Sequence, residues 1–284
     1  MALSIPYTAK TLLQEIVSEV STVYEENEAK AIAYLLVEHF CGITKMDILL
    51  NNPVTTTVDW SPILSRIKAQ EPVQYLIGET EFYGRMFSVS QATLIPRPET
   101  EELVAYVCNH AIAQEARTVL DIGTGSGCIA ISLACELPQA QVYAYDVSEV
   151  ALAMAKQNAL RNDVSVNFEQ HDILQTKTLT PSSFDIIVSN PPYVKEEEME
   201  TMKQNVLDYE PYLALFVSND NPLLFYKVIA HLAGKHLRPN GLCMVEINEQ
   251  LGQETVALFT AEFYDIEVIK DLFGKDRFVK AVKK

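Results

Sequence analysis

Apolar residues follow two rhythms along this 284-residue chain, and the change of rhythm divides it. Through residue 78 the spacing is helical, without strand alternation. Leu12, Leu13, Ile16, Val17 and Val20 share one predicted face; Ala31, Tyr34, Leu35 and the Glu38-His39-Phe40 turn form another. A small bundle of short helices is expected over 1–78. From Glu79 to Val89 aromatic and β-branched residues surround Gly84-Arg85, so residues 79–97 read as a β-hairpin linker. Over 98–284 strand-like runs alternate with helical stretches: Val119–Ile122, Gln141–Tyr145, Val166–Gln170, Phe184–Ser189 and Leu242–Ile247. A helix over Phe225–Leu237, stopped by Pro239-Asn240-Gly241, precedes the last of these, and a hairpin of Ile266–Ile269 with Arg277–Val282 closes the sheet. The pattern predicts an α/β fold, a seven-stranded Rossmann-like sheet with helices on both faces behind a helical N-terminal domain.

Asn190-Pro191-Pro192-Tyr193 follows the apolar strand Phe184–Ser189 and so falls at its carboxyl end, the edge where open α/β sheets bind ligands. Two prolines hold their backbone rigid, which presets the carbonyls of Pro191 and Pro192 as acceptors. The Asn190 side-chain oxygen and the Pro191 carbonyl can each accept one hydrogen of a planar NH2 group. An amide nitrogen is a poor nucleophile because its lone pair is delocalised, so holding it in a reactive orientation is the chemistry required. Tyr193 is placed to stack on the flat group. The plain alternative is a tight strand-ending turn, which Asn and Pro favour anywhere.

The run from Val119 to Ala134 passes from a strand through a glycine loop into an apolar helix. Its glycines stand at 123, 125 and 127, whereas the dinucleotide fingerprint needs glycine where Cys128 stands, so pyrophosphate is the weaker reading. Asp121, Ile122, Gly123, Thr124, Gly125 and Gly127 are the candidate cofactor loop, and Asn190 is a further candidate to contact the cofactor. Asp121 suits an ammonium group such as that of S-adenosylmethionine. Asp146 ends the next strand where an acidic residue meets ribose hydroxyls. Asp172 is placed to accept from an adenine amino group, with Ile173 covering the base. Each of the two later aspartates has an ordinary alternative as a helix N-cap.

On these motifs the chain resembles the N5-glutamine methyltransferases of peptide chain release factors. Glu71–Gly78, Phe82-Tyr83-Gly84 and Leu94–Glu101 carry the resemblance to that branch; Asp121–Gly127 and Asn190–Tyr193 carry it to the wider superfamily. It implies S-adenosylmethionine as methyl donor, S-adenosylhomocysteine as product, and the glutamine of a Gly-Gly-Gln loop as acceptor. Asn190, Pro191, Pro192 and Tyr193 would bind the amide; Gly123, Asp146 and Ile173 would contact the donor. The chain departs from the family after Ala214-Leu215-Phe216, where a glycine-rich turn is replaced by Val217-Ser218-Asn219-Asp220-Asn221. Asn and Asp tolerate left-handed backbone, so the turn is expected to survive with those residues. The helical residues 1–78 are the expected substrate-docking domain.

A net charge of −16 disfavours phosphate-backbone binding, so direct nucleic-acid binding is not expected. That weighs against the main alternative, an adenine N6 methyltransferase acting on a flipped base. A non-catalytic binding module is the third class, opposed by the intact Asn190 and loop glycines. Five cysteines without a C-x-x-C pair fit a reducing cytoplasm and no metal site. Nothing at Met1–Tyr7 resembles an export leader, no stretch reaches membrane-spanning length, and a monomer is expected. Of the minor candidates, His39 reads as packed or capping. Lys195–Glu200 reads as a solvated helix start. Arg97 is expected to pair with Glu99, with the Asn190 loop, or as an ordinary surface ion pair. Glu246 ends its strand on the ligand edge, with a solvated rim carboxylate as the alternative.

Overall fold

The computed structural model describes residues 5–259 and 261–284; Met1–Ser4, part of the stretch read as lacking an export leader, lie outside them. In chain order the elements begin β1 (Ile5–Thr8), α1 (Ala9–Val20), α2 (Glu26–Cys41), α3 (Lys45–Leu50), β2 (Pro53–Thr56), α4 (Trp60–Lys68) and α5 (Val73–Ile77). Then come β3 (Glu79–Phe82), β4 (Arg85–Ser88), α6 (Pro98–Ala113), β5 (Thr118–Ile122), α7 (Cys128–Glu136), β6 (Gln141–Asp146), α8 (Glu149–Arg161), β7 (Asn167–Gln170) and β8 (Phe184–Ser189). The chain continues through β9 (Val194–Lys195), α9 (Gln204–Tyr209), α10 (Tyr212–Leu215), β10 (Phe216–Val217), α11 (Leu224–His236), β11 (Leu237–Glu246), α12 (Gly252–Val256), β12 (Phe263–Lys270) and β13 (Asp276–Lys283).

The chain forms two compact units. The first runs to Gly78 and also takes in Lys203–Tyr209, a segment far along the chain that its position in sequence would assign to the second. Lys203 pairs with Glu28 at 3.2 Å and the Tyr209 hydroxyl donates to the Ala69 carbonyl at 3.0 Å, contacts that no local pattern announces. Leu12, Ile16 and Val20 of α1 are buried as the spacing predicts, with Leu13 and Val17 half-buried. The face predicted for α2 is off by one position. Its buried residues are Ala29, Ile32, Ala33, Leu36 and Val37, while Ala31, Leu35, Glu38 and His39 are exposed. Tyr34 and Phe40 are themselves apolar, which masked the tighter Ile32/Leu36 stripe. The unit is also not purely helical, for β1 and β2 pair antiparallel, Ile5 opposite Thr56. The β-branched run Val54–Val58 carried that signal, but four residues are too few to show alternation.

In the second unit the sheet order is β12-β13-β11-β8-β5-β6-β7. Successive residues of each central strand face opposite layers, the two-residue period of a sheet covered on both sides. Val119, Ile186, Val188, Leu242 and Met244 join Leu103, Val104, Val107 and Ile131 of α6 and α7 in one core. Leu120, Ile187, Cys243 and Val245 join Tyr226, Ile229 and Ala233 of α11 in the other. The β3–β4 hairpin belongs to this unit: Phe82 and Phe87 meet edge to face, centroids 6.0 Å apart, inside the α6–α7 core. Strand β11 starts at Leu237, earlier than predicted. Its pairing with β8 resumes at Leu242 after a register shift that absorbs Pro239-Asn240-Gly241. No described helix is long and apolar enough to cross a membrane.

Candidate active site

Strands β5 and β8 are parallel neighbours at the middle of the sheet, Ile122 opposite Ser189, and the chain turns to opposite sides of this pair. Such a switch point opens a crevice at the carboxyl ends of the strands. Ser189 Oγ donates to the Ile122 carbonyl at 2.6 Å, so the glycine loop and the Asn190 tetrapeptide leave from fixed, adjacent points.

Gly123, Gly125 and Gly127 all have positive φ, but they serve different ends. A Cβ on Gly127 would stand 2.8 Å from Ile131 Cδ1 and 3.1 Å from Ala155 Cβ, so that glycine seats α7 against α8. A Cβ on Gly123 or Gly125 would meet nothing within 4 Å, so these two border open space along which a ligand can pass. Their amides are already engaged. Those of Gly123 and Thr124 donate to the Tyr145 carbonyl at 2.8 and 3.0 Å, and that of Gly125 donates to Asp146 Oδ2 at 2.8 Å. A loop whose amides are spent internally is a poor phosphate cradle, in agreement with the displaced third glycine.

Asp121 is fully buried. Its Oδ2 accepts from the Thr124 hydroxyl at 2.6 Å, and its Oδ1 has no hydrogen-bond partner. Burial pushes this carboxyl up to about 7, opposed by the Thr124 hydroxyl and by the Ala130 amide, which lies near without completing a hydrogen bond. An orphaned buried carboxylate oxygen is what an ammonium group would satisfy. Asp146 uses Oδ1 for the Ser148 amide at 2.8 Å and Oδ2 for the Gly125 amide, leaving each oxygen a lone pair for a hydroxyl. The cap of α8 is Ser148, whose Oγ accepts from the Ala151 amide at 3.2 Å, and not Asp146. Half-buried Asp172 closes a local turn, accepting from the Leu174 amide at 3.0 Å and the Gln175 side chain at 2.6 Å; Ile173 beside it is 8% exposed. The set fits an ammonium, a pair of vicinal hydroxyls and an apolar base, and offers no phosphate site, which matches S-adenosylmethionine.

Asn190 Nδ2 donates to Thr100 Oγ1 at 3.2 Å, which leaves its Oδ1 as an acceptor. Thr100, buried in the first turn of α6, donates its own proton to Glu246 Oε2 at 2.7 Å. Tyr193 donates its hydroxyl to Glu246 Oε1 at 3.0 Å. Glu246 is therefore no solvated rim carboxylate: it is 1% exposed and joins Asn190, through Thr100, to Tyr193. Burial raises its pKa, against the Thr100 and Tyr193 hydrogen bonds and the Arg277 charge. Burial, then the Glu246 charge, drive the Tyr193 phenol well above its ordinary value.

The frame around Asn190–Tyr193 is equally fixed. The Tyr193 amide donates to the Leu215 carbonyl at 3.2 Å, and its carbonyl accepts from Asn248 Nδ2 at 3.3 Å. Asn248 also donates to Glu198 Oε1 at 2.8 Å, so the acidic run is tied down as a 3-10 turn over Glu196–Thr201. The replaced glycine-rich turn survives without any left-handed residue at 217–221. Ser218 and Asn219 build it instead: the Asn221 amide donates to the Ser218 carbonyl at 3.1 Å, and Asn219 Oδ1 accepts from the Glu197 amide at 3.0 Å. Arg97 pairs with neither Glu99 nor the Asn190 loop. It meets Glu210 at 2.5 Å, a carboxylate whose side chain is 1% exposed and which also takes the Ile95 amide at 3.3 Å. Sequence reasoning missed Thr100, Glu210 and Asn248 as site-building residues. Thr100 lay inside the conspicuous Leu94–Glu101 stretch, and nothing local marked the other two.

Residues 101–209 match the family model of the methyltransferase small domain, and residues 11–78 match the PrmC N-terminal domain. The release factor glutamine methyltransferase of Flavobacterium psychrophilum is 43% identical over 279 residues, 95% of this chain and 98% of that protein. The protein of the same name from Bacteroides thetaiotaomicron is 44% identical, over 91% of this chain and 94% of its own length. Among solved structures, the catalytic domain of hMettl16 shares the fold, with a TM-score of 0.52 over 81% of this chain and 93% of that one at 16% identity.

Proposed function

The chain belongs to the family of release factor glutamine methyltransferases, which use S-adenosylmethionine, and we propose that its Asn190–Tyr193 clamp holds the glutamine amide of a Gly-Gly-Gln loop for methylation. The observation that carries this reading is the free Oδ1 of Asn190, in a residue whose Nδ2 is already committed to Thr100. That oxygen and the Pro191 carbonyl each accept one hydrogen of the amide, which fixes the nitrogen's orientation and draws on its protons. The half-buried Tyr193 ring, its hydroxyl held by Glu246, offers a flat wall for the amide plane. Asp121 takes the cofactor's ammonium, Asp146 its ribose hydroxyls, and Asp172 and Ile173 its base, with Gly123 and Gly125 keeping the path clear. When bound, S-adenosylmethionine would supply a methyl group on a sulfonium; the S–CH3 bond breaks as N–CH3 forms, and the proton leaves the nitrogen for solvent after transfer, so no carboxylate base is needed in the protein.

Incubation with labelled S-adenosylmethionine and, separately, a bacterial release factor and unmethylated DNA tests this directly. A single methyl on the Gly-Gly-Gln glutamine, located by mass spectrometry, is the expected result; label on DNA adenine and none on the factor would overturn it.

The helical unit is the proposed docking element for the factor. Supporting this, α3 leaves Met46, Leu49 and Leu50 between 59% and 69% exposed, an apolar cluster on a six-residue helix. The double variant Leu49→Ser, Leu50→Ser is expected to raise KM for intact release factor about tenfold, with KM for a short glutamine peptide unchanged. Equal KM values for the factor in variant and parent would remove α3 from the docking surface. The five free cysteines and the acidic surface fit a cytoplasmic enzyme acting on a protein.

A further inference from the structure

The Asn190 amide can be turned either way about its last torsion, and only one orientation accepts from a substrate NH2. Reversed, it would present its own NH2 to the substrate's NH2. Something must choose, and the choice can be traced atom by atom. An ionised Glu246 has only acceptors, so the Thr100 and Tyr193 hydroxyls must both point their single protons at it, at 2.7 and 3.0 Å. With its proton spent, Thr100 Oγ1 shows Asn190 nothing but lone pairs. Asn190 must therefore present Nδ2 to it, as it does at 3.2 Å, and Oδ1 is left for the substrate.

We propose that Glu246 and Thr100 are positioning residues that lock the orientation of the Asn190 side-chain amide, through a chain of hydrogen bonds whose direction the Glu246 carboxylate dictates. The proposal rests on the reading of Asn190 as acceptor of the glutamine amide. Glu246 and Thr100 touch neither substrate nor cofactor in this scheme; they act through Asn190. Protonation of Glu246 breaks the lock, because a carboxylic acid can donate to Thr100, free that hydroxyl's proton toward Asn190 and stabilise the reversed amide. The groups that face Glu246 are the Tyr193 phenol, Arg277 on β13, Glu99 on α6, Tyr226 on α11 and Cys128 on α7. Arg277 alone among them is cationic, and it favours the ionised form; burial and Glu99 oppose it. Activity that depends on ionised Glu246 is lost as pH falls through its raised pKa.

Thr100→Val keeps the shape and removes both the donor and the acceptor; Thr100→Ser keeps both. At saturating substrate and cofactor, Thr100→Val is expected to lower kcat about 10- to 100-fold, with S-adenosylmethionine affinity by titration calorimetry unchanged, while Thr100→Ser recovers kcat to within about threefold of the parent. The acid limb of the kcat–pH profile should persist in Thr100→Ser and flatten in Thr100→Val and Glu246→Gln. Full kcat in Thr100→Val beside an inactive Asn190→Ala would overturn the lock and leave the clamp standing. Equal losses in Thr100→Val and Thr100→Ser would overturn it too, by assigning Thr100 a packing role. Full activity in Asn190→Ala would remove the clamp reading itself, and the lock with it.

Discussion

Asn190→Ala is expected to lower kcat by about 10²- to 10³-fold, the loss that follows removal of one well-placed polar group from a reacting centre. Cofactor affinity should change little, because the substitution leaves Asp121, Asp146 and the glycine loop untouched. The fold should also tolerate it. Asn190 is half-buried and gives up one 3.2 Å hydrogen bond, worth about 1 kcal/mol. What disappears is the acceptor that orients the amide, so KM for the factor should move far less than kcat if docking is shared with surfaces elsewhere. Stopped-time methyl transfer with separate titration of S-adenosylmethionine resolves the two effects. Undiminished methyl transfer by this variant would sink the clamp mechanism, whatever the variant's stability.

The proposed clamp and the glycine loop can be picked out in the amino-acid sequence because the residues of each are local. A strand, a rigid dipeptide and a carboxamide are adjacent along the chain, and so are the strand, the turn and the helix around Gly123–Gly127. The lock is not legible there, because Thr100 stands 146 positions from Glu246 and 90 from Asn190. Three strand and helix ends meet at that point only once the sheet has ordered itself. Glu246 stands out as a strand end on the ligand edge, but nothing in Val245-Glu246-Ile247 distinguishes a buried hub from a solvated rim residue. The same limit applies to Arg97, whose partner Glu210 lies far along the chain, and to Lys203–Tyr209, which packs into the unit built from the first 78 residues. The error on α2 is of another kind. A helix carrying apolar residues at 31–37 offers two adjacent stripes, and packing alone selects Ile32 and Leu36 over Ala31 and Leu35.

Asp121→Asn should abolish measurable S-adenosylmethionine binding and, at pH 8, raise the melting temperature of the ligand-free protein. Both effects have one cause. A fully buried carboxyl whose pKa rises from 3.8 to about 7 is ionised at pH 8 at a cost of roughly 4 kcal/mol. The sign follows from proton uptake: between those two values the folded state binds the extra proton, so this group's contribution to stability is greatest below pH 3.8 and is lost as pH rises through 7. The neutral amide removes that cost, and with it the charge and the unpartnered Oδ1 that receive an ammonium. For the parent protein, cofactor affinity should weaken about tenfold per pH unit below 7, where Asp121 must first lose a proton to bind a cation. Calorimetric titration from pH 5.5 to 8 beside melting curves of both proteins measures each arm. Retained affinity in Asp121→Asn, or a pH-independent Kd in the parent, would place the ammonium elsewhere. A buried acid that destabilises the empty enzyme and is relieved on binding the cofactor's ammonium, as proposed for Asp121, would be strain held in reserve for binding, and would account for a carboxylate rather than a valine at a fully buried position in β5.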